Sequence, residues 1–362
     1  MTPTFDKIHN RFKFNGLHFT HEEFKEVAYS LVKEGEPYEK ITGDFLLDWL
    51  NDDDFLMVRT SGATGTPKNI KLQKQAMVNS AIATGNYFGL QPGDSALDCL
   101  PSHFIAGKMM LVRAMILGLE IDCVAPVSLP VFDYRKPYDF CAMIPLQLSK
   151  ALDHKPNIRT IIVGGAEVSK QLKSKIAKCN SRVYETYGMT ETVTHVAVKP
   201  LKSKADPEVS STFKALPNVK FSQDDRQCLV IQATKLLKGK LVTNDIVNLI
   251  SDQEFEWLGR HDNVINSGGI KLFPEQIESK LQDILHDRFI VASEEDGTLG
   301  EKIILIIENP SDTEEAIYDK MKASGDLNKH EIPKQIYTTD KFVETINGKI
   351  QRSKTIASVM KK

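Results

Sequence analysis

The sequence predicts an α/β protein: a large N-terminal domain of helix-covered sheets with a β-rich subdomain, then a small mobile α+β C-terminal domain. Three observations carry this expectation. Between residue 55 and about residue 163, short apolar runs alternate with helix-like segments, the pattern of a largely parallel sheet covered by helices. From Cys228 the texture changes to short strands separated by polar turns. After Gly259-Arg260 a compact stretch begins that has its own helices and strand pair. A chain of 362 residues exceeds one ordinary core and suits one large and one small domain. The expected division is 1–259 and 260–362, with a hinge near Asp262.

Each element has its own signal. Residues 24–33 are amphipathic within an otherwise mixed first fifty. Residues 55–58 form an apolar strand, and 73–88 follow as a helix. Strands are expected at 96–100, 121–124, 140–144 and 160–163, then at 229–231, 246–250 and 255–258. The last part should hold a helix over 274–285, a strand pair at 289–292 and 303–307, and a helix near 314–322. Pro274 followed by Glu275 is good helix-start chemistry.

Composition narrows the function classes. Hydrophobic residues make up 41% and charged residues 26%, which suits a soluble globular protein. A net charge of −2 points to neither nucleic acid nor a membrane surface as partner. No run reaches the roughly 18 apolar residues of a membrane span, and the N-terminus lacks an apolar signal segment. The five cysteines are scattered without a CxxC pair, as expected of reduced thiols in a cytoplasmic protein and not of a metal site.

The segment Thr60-Ser61-Gly62-Ala63-Thr64-Gly65-Thr66-Pro67-Lys68 follows a strand. Such a loop offers free backbone N–H groups, hydroxyls and one cation to phosphate oxygens. It is not a Walker loop: Pro67 stands where the second Gly belongs, and Asn69 where Ser or Thr belongs. The nine residues resemble TSG-x-TG-x-PK, the signature of the adenylate-forming superfamily of acyl- and aryl-CoA ligases, luciferases and adenylation domains. Five further segments resemble that family's motifs in order.

Gly164-Gly165-Ala166-Glu167 resembles its GGA/GGE turn, which implies that Gly164, Gly165 and Ala166 line the adenine and acid pockets. Tyr187-Gly188-Met189-Thr190-Glu191 resembles YG-x-TE. The resemblance implies that Tyr187 stacks on adenine, Thr190 meets the α-phosphate and Glu191 helps hold Mg²⁺, a hard cation that wants carboxylate oxygen. Thr243-Asn244-Asp245 stands where the family has TGD, with Asn for Gly, and implies that Asp245 binds the ribose hydroxyls. The run from Gly259 to Lys271 resembles the hinge motif. It implies Arg260 on ribose, Asp262 as pivot, and Gly268 and Gly269 along the pantetheine channel of coenzyme A. Asn347-Gly348-Lys349-Ile350-Gln351-Arg352 resembles the terminal GKI-x-R motif and implies Lys349 as the lysine of adenylation, although Val343 replaces the usual Pro. ATP, Mg²⁺ and coenzyme A are thereby implied. The phosphate loop begins at residue 60, earlier than is usual, which implies a shortened N-terminal region.

The acid itself is addressed by 100–113. Phe104 occupies the family's usual His place, so His103 is an offset candidate. Arg113, among Met109, Met110, Leu111 and Val112, could set a guanidinium at an apolar pocket to bind a carboxylate. With the small size and the GGA turn, this segment resembles the o-succinylbenzoate–CoA ligase family of menaquinone biosynthesis, whose substrate is an aromatic dicarboxylate. Two alternatives share these motifs: an adenylation enzyme for another acid or for a carrier protein, and a nucleotide-binding scaffold without turnover.

Overall fold

The computed structural model describes residues 3–59, 68–207, 210–344 and 350–360. Strand β1 (Lys13–Phe14) precedes helices α1 (His21–Glu34) and α2 (Pro37–Leu50). An antiparallel pair follows, β2 (Phe55–Arg59) with β3 (Asn69–Gln73). Then come α3 (Lys74–Phe88), β4 (Ser95–Asp98), α4 (Ile105–Leu117), β5 (Glu120–Cys123) and β6 (Tyr138–Met143). Next are α5 (Pro145–Ala151), β7 (Ile158–Val163), α6 (Lys170–Ile176) and β8 (Arg182–Gly188). Strands β9 (His195–Leu201), β10 (Phe213–Ala215), β11 (Lys220–Gln223), β12 (Cys228–Gln232), β13 (Lys240–Ser251) and β14 (Glu254–Arg260) complete the large sheet. Beyond it lie β15 (Ile265–Ser267), β16 (Ile270–Leu272), α7 (Pro274–Leu281), β17 (Phe289–Asp296) and β18 (Gly300–Glu308). Helix α8 (Glu314–Ser324), β19 (Gln335–Thr339) and α9 (Arg352–Met360) end the described chain.

The large sheet has twelve strands in the order β1-β5-β4-β6-β7-β8-β9-β10-β14-β13-β12-β11. Its first half is parallel and its second half antiparallel. In β6 and β7 nearly every residue is buried, because helices cover both faces of a parallel sheet. The second half packs the stacked Phe213 and Phe255 and the edge-on Phe221 beneath it. A separate five-stranded sheet, with order β16-β15-β18-β17 and β19 beside β18, has its own core against α7 and α8, around Ile277, Leu281, Leu305 and Met321.

The α/β class and nearly all expected elements are present. The β-rich subdomain is not separate. Strand β8 pairs parallel with β7 on one side and antiparallel with β9 on the other, so hydrogen bonding runs through without a break. The antiparallel half also begins with this strand, well before Cys228. The helix expected over 274–285 stops at Leu281, where the Gln282 N–H closes back onto Glu278 and Lys280. Helix α2, over a stretch with no expected element, starts at Pro37 behind a Glu36–Glu39 capping box.

Candidate active site

Open α/β sheets bind ligands beyond the carboxyl ends of their strands, where strand order reverses. Order reverses at β4, while the seam at β7, β8 and β9, where pairing turns from parallel to antiparallel, carries the motif residues after β7 and β8. The turn after β7 carries Gly164, and a Cβ there would lie 2.2 Å from Thr186 Oγ1, so glycine lets β8 approach. Gly165, at φ +87°, and the exposed Ala166 follow. Past Tyr187 and Gly188, a single helical turn holds the half-buried Thr190 and the exposed Glu191. Thr192 pins this turn: its hydroxyl accepts from Met189 N at 3.0 Å and lies 2.7 Å from Thr194 O. Val193, buried, has φ +69° and ψ −58°, a backbone state that is strained for a β-branched residue.

A first polar network joins Tyr187 to the ends of β13 and β14. The Tyr187 hydroxyl donates to Asp245 Oδ2 at 2.6 Å, and Trp257 Nε1 and an Arg260 nitrogen each donate to Oδ1 at 3.4 Å. Burial and the Asp245 charge push the Tyr187 hydroxyl well above its ordinary pKa. Arg260 also reaches Asp262 at 3.2 Å, and Asp262 accepts from Asn244 at 3.3 Å. Thus Tyr187, Asp245, Arg260 and Asp262, distant in sequence, form one corner. Gly268 and Gly269, at φ +58° and +82°, make the two-residue turn between β15 and β16, for which paired positive φ values are favoured.

A second network is buried. Arg113 is 1% exposed, not on an outer face of α4. Its Nε contacts Thr84 Oγ1 at 3.4 Å and one Nη contacts Met110 Sδ at 3.7 Å. The other Nη lies 3.4 Å from both Thr194 Oγ1 and His195 Nδ1. All four contacts are to neutral groups. Burial, opposed by Asp98, lowers the guanidinium pKa to about 10. Asp98, 3% exposed, is pushed up to about 7 by burial, against the Leu100 N–H and Arg113. Burial and then Arg113 hold His195 well below the usual histidine range, so it is neutral. A buried cation whose contacts among the described residues are all neutral is costly unless an anion joins it.

Thr60, Ser61, Gly62, Thr64, Gly65 and Lys349 lie outside the described residues. Lys68 is exposed just before β3. His103, exposed and packed on Phe104 with ring centroids 3.9 Å apart, lies just before the start of α4, the helix that carries Arg113. Sequence reasoning missed His195, Thr84 and Asp98. The one signal was a histidine set in the apolar run from Val193 to Val198. Glu191 is a single carboxylate beside the Tyr187 corner. That donor fits Mg²⁺, which keeps waters and substrate phosphates as its other ligands.

Residues 25–229, more than half of the chain, match the model of a family described as AMP-binding enzyme. The 2-succinylbenzoate–CoA ligase of Listeria monocytogenes is 26% identical over 329 residues, 82% of this chain and 68% of the relative. Its counterpart from Staphylococcus aureus is 26% identical over 358 residues, 91% and 72% of the two chains. A solved acyl-CoA synthetase (AMP-forming)/AMP-acid ligase II-like protein from Dyadobacter fermentans shares 34% identity, covers 92% of this chain and 98% of its own, and superposes with a TM-score of 0.60. The o-succinylbenzoate coenzyme A synthetase of Bacillus subtilis, solved with ATP and magnesium ion, superposes at 0.68 with 21% identity over 83% and 69% of the chains. At that identity the likeness is one of fold.

Proposed function

We infer that the chain, which belongs to the AMP-binding enzyme family, joins an aromatic dicarboxylic acid of the o-succinylbenzoate type to coenzyme A, with ATP cleaved to AMP and pyrophosphate. One observation carries the choice of acid. Arg113 is fully buried, and its four contacts among the described residues are to neutral groups. A dicarboxylate supplies the missing charge with one carboxylate and reacts through the other. The 2-succinylbenzoate–CoA ligase names of the curated relatives point the same way.

In this reading one acid oxygen attacks the α-phosphorus and pyrophosphate leaves. The thiol of coenzyme A then attacks the acyl carbon and AMP leaves. Thr60, Ser61, Gly62, Thr64, Gly65 and Lys68 cradle the phosphates. Tyr187, Gly165 and Ala166 border the adenine, Asp245 and Arg260 take the ribose, and Gly164 and His103 border the acid. Thr190 meets the α-phosphate, and Glu191 holds Mg²⁺, which offsets phosphate charge. Lys349 balances the negative charge as carboxylate and phosphate converge. The segment from residue 260 onward acts as a second domain pivoting at Asp262, and Gly268 and Gly269 then border the thiol's channel.

Acid-dependent ATP–pyrophosphate exchange tests the reading, with o-succinylbenzoate beside simple aryl and fatty acids. Exchange with the dicarboxylate is expected, and Arg113→Ala should weaken it by roughly 2 kcal/mol or more in KM. Exchange that prefers another acid, with an unchanged KM in the variant, removes Arg113 from the site. No exchange with any acid leaves a scaffold. Thioester formed on a carrier protein but not on free coenzyme A changes the acceptor alone.

A further inference from the structure

We propose that His195 is the positioning residue for Arg113, fixing the direction in which the guanidinium presents its remaining N–H groups. This rests on Arg113 as the partner of the acid's second carboxylate. A guanidinium has five N–H donors and no acceptor, and all of Arg113's contacts are long. They differ in their power to orient. Thioether sulfur is a weak acceptor, and a threonine hydroxyl turns to suit its neighbours, whereas an imidazole nitrogen has one lone pair fixed in the ring plane.

The ring is held on its far side as well. Since Nδ1 accepts from Arg113, Nε2 carries the proton and faces Thr84 Oγ1 at 3.5 Å. The Thr84 hydroxyl donates to Ser80 O at 3.0 Å and also faces Arg113 Nε. Its two acceptor sites and one proton are then all in use, so Arg113, His195 and Thr84 close into a triangle. The backbone supports it. His195 pairs with Gly188 across β8 and β9, and a Cβ on Gly188 would lie 2.5 Å from His195 Cα. The strained turn at Val193 delivers Thr194 and His195 to one Nη of Arg113. The seam that carries Tyr187 thus also aims the buried cation.

The two amides of similar size separate orientation from bulk. In His195→Asn, Oδ1 falls where Nδ1 was. In His195→Gln, the amide falls nearer Nε2. Exchange is measured in the full chain with o-succinylbenzoate and with benzoylpropionate, the same skeleton without the ring carboxylate. His195→Gln and His195→Leu should raise KM for o-succinylbenzoate about tenfold, as one oriented hydrogen bond to a charged group warrants. They should leave benzoylpropionate and kcat nearly unchanged. His195→Asn should restore most of the wild-type KM. Equal losses for both acids, or Asn no better than Gln, overturns the proposal. If the leucine variant does not fold, the Asn–Gln comparison decides alone. Arg113→Leu separates the two readings. If it leaves the o-succinylbenzoate KM unchanged, the carboxylate role itself falls. If it raises that KM while the His195 variants are silent, only the positioning role falls. Wild-type protein inactive on both acids overturns both.

Discussion

Arg113 and Arg352 are both largely withdrawn from water, and they are treated in opposite ways. Arg352, at the start of α9, meets Glu278 of α7 with two 2.8 Å bonds, one to each carboxylate oxygen, and donates to Val291 O at 2.6 Å. Glu278 in turn accepts from Val291 N. That fork ties α9, α7 and β17 of the small sheet into one unit. Arg113 meets two hydroxyls, a thioether and a neutral imidazole. A guanidinium whose counter-charge is built in is part of the frame. Arg113 makes no such ion pair among the described residues.

The sharpest way to break this contrast is Glu278→Ala, which strands Arg352 without its carboxylate. It should cost about 3–5 kcal/mol of stability in denaturant unfolding, and a cost near zero would make the fork ornamental. Asp98→Asn comes next. Burial pushes the native carboxyl up to about 7 from the ordinary aspartate value of 3.8, so between these values the folded state holds a proton that the unfolded chain releases. The stability from that neutral group is complete below about pH 3.8 and is lost as pH rises through about 7. Melting studies across pH should therefore show the variant gaining on wild type by roughly 2–4 kcal/mol from the acid to the alkaline side. A constant difference would mean that the buried carboxyl is already ionised.

Arg113→Leu should be smaller for folding and decisive for function. Apolar replacement of a buried charge that has no ion pair among the described residues should leave stability unchanged or raise it by about 1–2 kcal/mol, while exchange with the dicarboxylate collapses. A large loss of stability would place Arg113 in the class of Arg352. The smallest expected effect is Asn244→Gly, which installs the family's usual residue in β13. Chemical denaturation should register about 0.5–1 kcal/mol of backbone cost, with exchange preserved.

The legible parts of the sequence were those where a local requirement dictates residue type. Apolar runs exposed the strands β4 through β7, and Pro274-Glu275 exposed the start of α7. The corner of Tyr187, Asp245, Arg260 and Asp262 was legible because its members sit in three short motifs, which the fold brings together. Helix α2 escaped notice because Thr42 and Gly43, both buried, interrupt its apolar stripe. The Arg113 network was hidden for a different reason. Its partners Thr84, Thr194 and His195 lie 29, 81 and 82 residues away, and no local pattern marks a polar residue that is buried for the sake of another one. The continuity of the large sheet was equally invisible, since both halves look like sheets when read alone.

That continuity bears on how the molecule can be divided. The family match stops at residue 229, inside β12 and within the antiparallel half. A polypeptide cut there would keep β10 and β11 but lose β14 and most of β12, their partners. Two rows of N–H and C=O groups would then face solvent, ready to recruit strands from neighbouring copies. Gene truncation or proteolytic nicking at that boundary should therefore yield fibres or inclusion bodies, and a boundary drawn from similarity alone would mistake the middle of a hydrogen-bonded surface for its border.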